Sequence, residues 1–127
     1  MLVMVKKEGE VIGKRIKVAD SFFQRLVGLW GRKELAEGEG LLLIPCRQIH
    51  TFLMLFSLDV LFLNKKKEIV ALFPEMAPQQ CSPCVKGSYQ VLELPAGTIK
   101  LKKLKKGDCL DIVNVGNTSN NNQIFMK

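Results

Sequence analysis

Leu41 to Leu63 reads LLLIPCRQIHTFLMLFSLDVLFL, an almost wholly apolar run that carries Arg47, the only histidine of the chain (His50) and Asp59. Sequence this hydrophobic belongs in a core, and a histidine and a carboxylate inside it require hydrogen-bond partners. The run is long enough to cross a bilayer, but Pro45, Arg47, His50 and Asp59 interrupt it. Each charge at a helix centre would cost about 2.5 to 3.5 kcal/mol on insertion. It therefore reads as three buried strands with no membrane insertion: Leu41 to Pro45, Ile49 to Phe56 and Leu58 to Leu63. Alternation in the middle one puts His50, Phe52, Met54 and Phe56 on one face and Ile49, Thr51, Leu53 and Leu55 on the other.

Upstream, Leu2 to Val5 and Val11 to Ala19 flank a glycine-containing turn and read as a hairpin. Ser21 and Gln24 have capping-box spacing, with Asp20 as an alternative cap. Phe22, Leu26, Leu29 and Trp30 follow at helical intervals. A helix over about residues 21–30 is expected, ended by Gly31, and then a polar loop from Arg32 to Gly40. Downstream, Asn64 to Lys67 turns into a strand from Glu68 to Phe73. Pro74 to Gly87, with three prolines and Cys81-Ser-Pro-Cys84, reads as a long irregular loop. Tyr89 to Leu94 is strand-like, Thr98 to Leu104 a short second helix, and Cys109 to Val115 the last strand.

These elements predict an α+β fold, mostly antiparallel β, as a bent sheet or partly open barrel. With one main helix there are too few crossovers for a doubly wound parallel sheet. The 127-residue chain is expected to form a single globular domain over residues 1–115, with an asparagine-rich, disordered polar tail over 116–127. A domain of that size buries roughly 65 to 70% of the surface its unfolded chain exposes. MLVMVKK at the start lacks the pattern of a secretory leader, so a cytoplasmic location is expected, with Cys46, Cys81, Cys84 and Cys109 reduced.

The formal charge of +7 is concentrated in Lys65-Lys66-Lys67 and in Lys102, Lys103, Lys105 and Lys106. No aromatic residue is interleaved with either run to stack a base, so both read as solvated turn lysines rather than a nucleic-acid surface.

Several blocks occur together in order: Val18-Ala-Asp20, Arg25-Leu-Val-Gly-Leu29, Gly40-Leu-Leu42, Ile49-His-Thr-Phe52 with Met54, Leu58-Asp-Val60, Pro78, Val91-Leu-Glu-Leu-Pro-Ala-Gly97 and Gly107-Asp108. Over residues 16–113 the chain resembles the uncharacterised domain of unknown function 192 family. That resemblance implies a small β-rich α+β domain of bacteria and archaea, without an established reaction. It implies recurrent polar positions at Arg25, His50, Thr51, Asp59 and Glu93, which are the candidate ligand-binding residues, and recurrent glycines at Gly28, Gly97 and Gly107. The chain departs from the family pattern at Trp30, where methionine is usual, and at the loop cysteine pair.

A His50–Asp59 hydrogen bond would orient the imidazole as a general base, which makes these two the candidate catalytic pair, although no serine stands in a nucleophile-elbow context. Arg25 and Glu93, both set in apolar sequence, are expected to pair and fasten the helix to the sheet. Cys81 and Cys84 have the spacing of half a zinc site that Cys46 and His50 would complete; ordinary reduced cysteines without a cofactor are the preferred reading. The reading that best accommodates these residues is a non-catalytic binding or accessory module for a small polar ligand or a protein partner. The alternative is a hydrolase or transferase using His50 with Asp59, or a zinc site.

Overall fold

The apolar run forms strands at its two ends but not in its middle. The structure, a computed structural model, describes residues 1–115 apart from Phe22, Phe23, Leu26, Val27, Trp30 and Leu53. Among the described residues the strands are β1 (Leu2–Lys7), β2 (Glu10–Ala19), β3 (Glu39–Leu43), β4 (Leu58–Leu63), β5 (Ile69–Met76), β6 (Gln90–Pro95) and β7 (Asp111–Asn114). One short helix, α1 (Thr98–Leu101), separates the last two. They make a single sheet in the order β5-β4-β6-β3-β2-β1-β7. Every pairing is antiparallel except β2 with β3, which is parallel and is joined by the crossover through residues 20–38.

The sheet is open, with β5 and β7 at its edges. Val3 and Val5 of β1 nevertheless share one apolar cluster with Ile69 of β5. In a flat sheet those strands would lie roughly 24 Å apart at the usual interstrand spacing, so the sheet must curl strongly. An isolated bridge between Glu68 and Cys109 joins the approach to β5 with that to β7. This is the bent, β-rich α+β architecture expected.

Alternation assigns the two faces. Leu42, Leu61, Leu63, Leu92 and Leu94 fill the inner cluster, whereas Leu41, Leu43, Leu58, Val60, Phe62 and Val91 point to the other face, beneath Leu29, Ile49 and Met54. Glu93 alternates in register with Val91 and lies between Leu41 of β3 and Val60 of β4. A carboxylate therefore stands on the apolar face of a central strand.

Three expectations need correction. Ile49 to Phe56 is not a strand: β3 and β4 already have neighbours on both sides, so no lateral position is left for it. Its backbone instead pairs with the loop, through Thr51 N to Gln80 O (2.8 Å) and Ser82 N to Ile49 O (2.9 Å), and then turns by Met54 N to Thr51 O. His50 and Phe52 consequently face solvent, stacked at 5.0 Å, while Ile49, Thr51 and Met54 are buried. Secondly, β5 runs past Pro74 to Met76. An edge strand tolerates proline, and the shift from Leu58↔Met76 to Val60↔Phe73 places a bulge there.

The third concerns the segment after Ser21. Gln24 N donates to Ser21 Oγ (3.1 Å) and Ser21 N to Gln24 Oε1 (3.3 Å), which is the capping box. Gln24 and Arg25 are helical, but Gly28 and Leu29 are already in a turn. Gly28 has φ +52, a left-handed conformation that favours glycine and ends the turn early. The expected face of Phe22, Leu26 and Trp30, like the 116–127 tail, lies outside the described residues.

Candidate functional site

Where the crossover turn, the segment after β3 and the middle of the sheet meet, a cavity of about 370 Å³ opens. Leu29, Leu43, Ile49, Met54 and Leu58 supply its apolar wall. Arg25, Cys46, Arg47, Gln48, His50 and Glu93 supply its polar groups.

Glu93 is only 6% exposed. Among the described residues every fully inaccessible side-chain nitrogen or oxygen has a hydrogen-bond partner. The Glu93 carboxyl has none among them, so its oxygens open into the cavity. Burial alone pushes its pKa from the ordinary 4.5 up to about 7.

Arg25, half-buried, approaches from the helical turn begun by the capping box. The expected ion pair with Glu93 is not formed: Arg25 Nη1 donates instead to the carbonyl of Ile44, 3.2 Å away and one residue beyond β3. The two charges therefore share a cavity without neutralising each other.

Cys46 is held by Cys46 N to Tyr89 O (2.8 Å) and by Ser88 Oγ donating to its carbonyl (2.9 Å). Its thiol donates to Gln48 O at 3.3 Å, and burial raises its pKa. A thiol shifted in that direction is a poorer nucleophile than a free cysteine. Gln48, which sequence reasoning passed over, donates through Nε2 to Ser82 O (2.8 Å) and to Cys81 Sγ (3.3 Å), tying the cavity rim to the 74–88 loop. The available signal was the polar Cys46-Arg47-Gln48 break in the apolar run.

The remaining candidates separate from this group. Thr51 is fully buried: its Oγ1 donates to Ala77 O (2.6 Å) and accepts from Gln80 N (2.9 Å), so it pins the loop. Asp59, also fully buried, accepts from Glu75 N (2.8 Å) at the β5 bulge and from Ile99 N (2.7 Å) in α1. The expected hydrogen bond to His50 is not formed; His50 Nδ1 accepts instead from Phe52 N (3.3 Å). The His50–Asp59 pair is thus not assembled, because alternation in β4 turns Asp59 away from the face on which His50 lies. Nor do Cys46, His50, Cys81 and Cys84 come together: no cluster of His, Cys, Asp or Glu suited to a metal ion occurs among the described residues.

The lysine runs lie elsewhere. Lys102 pairs with Glu10 (3.3 Å) and Lys105 with Asp108 (3.2 Å). Lys65 sits 5.4 Å over the Tyr89 ring, an aromatic neighbour the sequence spacing concealed. No helix of the described residues is long and apolar enough to cross a membrane.

Against known proteins, the model of the domain of unknown function 192 family, described as "Uncharacterized ACR", matches residues 3–112. The UPF0127 protein of Pyrococcus abyssi is 34% identical over 110 residues, covering 82% of this chain and 86% of the relative. A crystal structure of a protein of unknown function from Novosphingobium aromaticivorans superposes with a TM-score of 0.77 at 20% identity, covering 87% of this chain and 84% of the other. A Sinorhizobium meliloti protein, described provisionally as a transcription regulator, gives 0.70 at 24% identity, covering 87% and 91%. At those identities the two structural likenesses are of fold alone.

Proposed function

The chain belongs to the domain of unknown function 192 family, and from that membership we propose a non-catalytic binding module whose cavity, lined by Arg25, Glu93 and His50, takes a small polar ligand. The observation that carries this reading is the Glu93 carboxyl, 94% buried and open to the cavity without a hydrogen-bond partner among the described residues. Such a group destabilises the fold unless something else gains by it, and ligand sites are where that compensation is found. An apolar wall with a few convergent polar groups is the general form of a small-molecule site.

The enzyme alternative lacks support from the geometry, since Asp59 is occupied by backbone amides and the Cys46 thiol donates to the Gln48 carbonyl. We place the module in the cytoplasm, in keeping with its four free cysteines. No cofactor is invoked.

The test is an amide-detected NMR screen of the full chain against a chemically mixed fragment set. Fragments that shift the amides of Ile49, His50 and Glu93 support the reading, and their shifts are expected to vanish in Glu93→Gln. If no fragment perturbs these amides, the cavity is not a binding site.

A further inference from the structure

We infer that the ligand class is a small zwitterion with an apolar side chain, its ammonium on the Glu93 carboxyl and its carboxylate on the Arg25 guanidinium. This rests on the cavity being a binding site and adds what the site selects.

Arg25 and Glu93 line the same cavity, yet no ion pair forms between them within 4.0 Å. Only Nη1 of Arg25 is engaged among the described residues, by the Ile44 carbonyl, which leaves the rest of the guanidinium fork for a second acceptor. The Glu93 carboxyl, 94% buried on a central strand, has no hydrogen-bond or ion-pair partner among the described residues. Opposite charges that line one cavity without pairing each remain open to a partner, and a ligand bearing only one sign would satisfy one of them and repel the other. A wholly apolar ligand would satisfy neither. One molecule carrying both signs engages both, and a planar carboxylate matches the arginine fork.

Size and wall chemistry narrow the class further. A volume of about 370 Å³ lies at the small end of ligand pockets. Leu29, Ile49, Met54 and Leu58 present aliphatic surface beside the two charges. That combination suits an α-amino acid with a branched or thioether side chain better than a nucleotide or a sugar.

The experiment titrates the full chain at pH 8 with leucine, with 3-methylbutylamine, which lacks the carboxylate, and with 4-methylpentanoate, which lacks the ammonium. Leucine is expected to bind at least about tenfold more tightly than either analogue, and Glu93→Gln and Arg25→Gln each to weaken it by at least about tenfold. A 4-methylpentanoate affinity equal to that of leucine would mean that Glu93 acts as a neutral hydrogen-bond donor to an anion, and an equal amine affinity would mean a simple cation site. Either result overturns the zwitterion inference. If none of the three binds at millimolar concentration while other fragments still shift the cavity amides, this inference falls and the cavity reading stands. If no fragment does so either, both fall.

Discussion

Arg25 and Glu93 look into one cavity from opposite sides of a packing boundary, the first from a helical turn in the β2–β3 crossover and the second from the centre of the sheet, and they do not pair. The arginine is steadied by the Ile44 carbonyl, whereas the carboxyl lines the cavity with no hydrogen-bond partner among the described residues. That asymmetry makes Glu93 the residue whose replacement is most informative.

Glu93→Gln should stabilise the protein at neutral and higher pH. Burial raises the folded-state pKa from 4.5 to about 7, so the folded state holds its proton more tightly than the unfolded chain. The resulting penalty is absent below the unfolded pKa, grows as pH rises between the two values and is complete above the folded one. It amounts to about 3 kcal/mol at most. Denaturant melts of both proteins from pH 4 to 9 check this: the curves should coincide near pH 4 and separate upward. Parallel curves would mean that Glu93 finds a partner in solution.

Asp59→Asn and His50→Ala should behave oppositely. The Asp59 carboxylate serves two amides, Glu75 N and Ile99 N, and an asparagine offers only one acceptor oxygen while setting an N–H donor against the other amide. The loss should be about 2 to 3 kcal/mol. His50 is exposed, and among the described residues its imidazole accepts from the Phe52 amide and stacks on the exposed Phe52 ring, so its removal should change stability by less than about 0.5 kcal/mol. Equal, large losses at both positions would restore the idea that they form a pair.

Much of this architecture was written locally in the chain. The near-continuous apolar runs Leu58 to Leu63 and Val91 to Leu94 mark strands buried on both faces, and Ser21 with Gln24 marks the start of a helical turn, because these depend on neighbours in sequence. The Ile49 to Phe56 segment misleads for the same reason: its apolar pattern suits a strand, but strand formation needs a free ladder edge, and β3 and β4 have none. Glu93 and Arg25 stand out as charges in apolar sequence. That they would share a cavity without pairing depends on how the crossover returns to β3, which no local pattern encodes. Asp59 was legible as a buried carboxylate needing donors, but the identity of its partners was not, since they come from β5 and α1.

Asp108 should dominate the acid side of the stability profile. Lys7 at 2.9 Å, with further help from the Lys105 amide and ammonium, lowers its pKa from 3.8 to about 2. A depressed carboxylate contributes stability above its unfolded pKa and loses it as pH falls through the folded one, here from about 4 to about 2. Asp108→Asn should therefore lower the melting temperature at pH 6 and by much less at pH 2, with thermal melts across that range as the measurement. The Lys105 ammonium is exposed whereas Lys7 and Asp108 are largely covered, so high salt should remove only the Lys105 share of the difference at pH 6.

Gly40→Ala should damage both the fold and the cavity. A Cβ at this position would lie 2.5 Å from the Glu93 carbonyl oxygen and 2.7 Å from Ile16 Cδ1. The isoleucine methyl can rotate away, but the carbonyl belongs to the β3–β6 ladder and can move only with its strand. Overpacking of this kind costs about 1 to 3 kcal/mol. The displacement falls on the residue whose carboxyl faces the cavity, so fragment binding should weaken beyond what the lost stability explains when measured well below the melting transition. Gly13→Ala is the control: its Cβ would meet Ile16 Cδ1 at 2.6 Å but no backbone atom of β6. It should cost stability and leave binding unchanged. If both variants bind as the unmodified chain does, the position of β6 is not what presents Glu93 to the cavity.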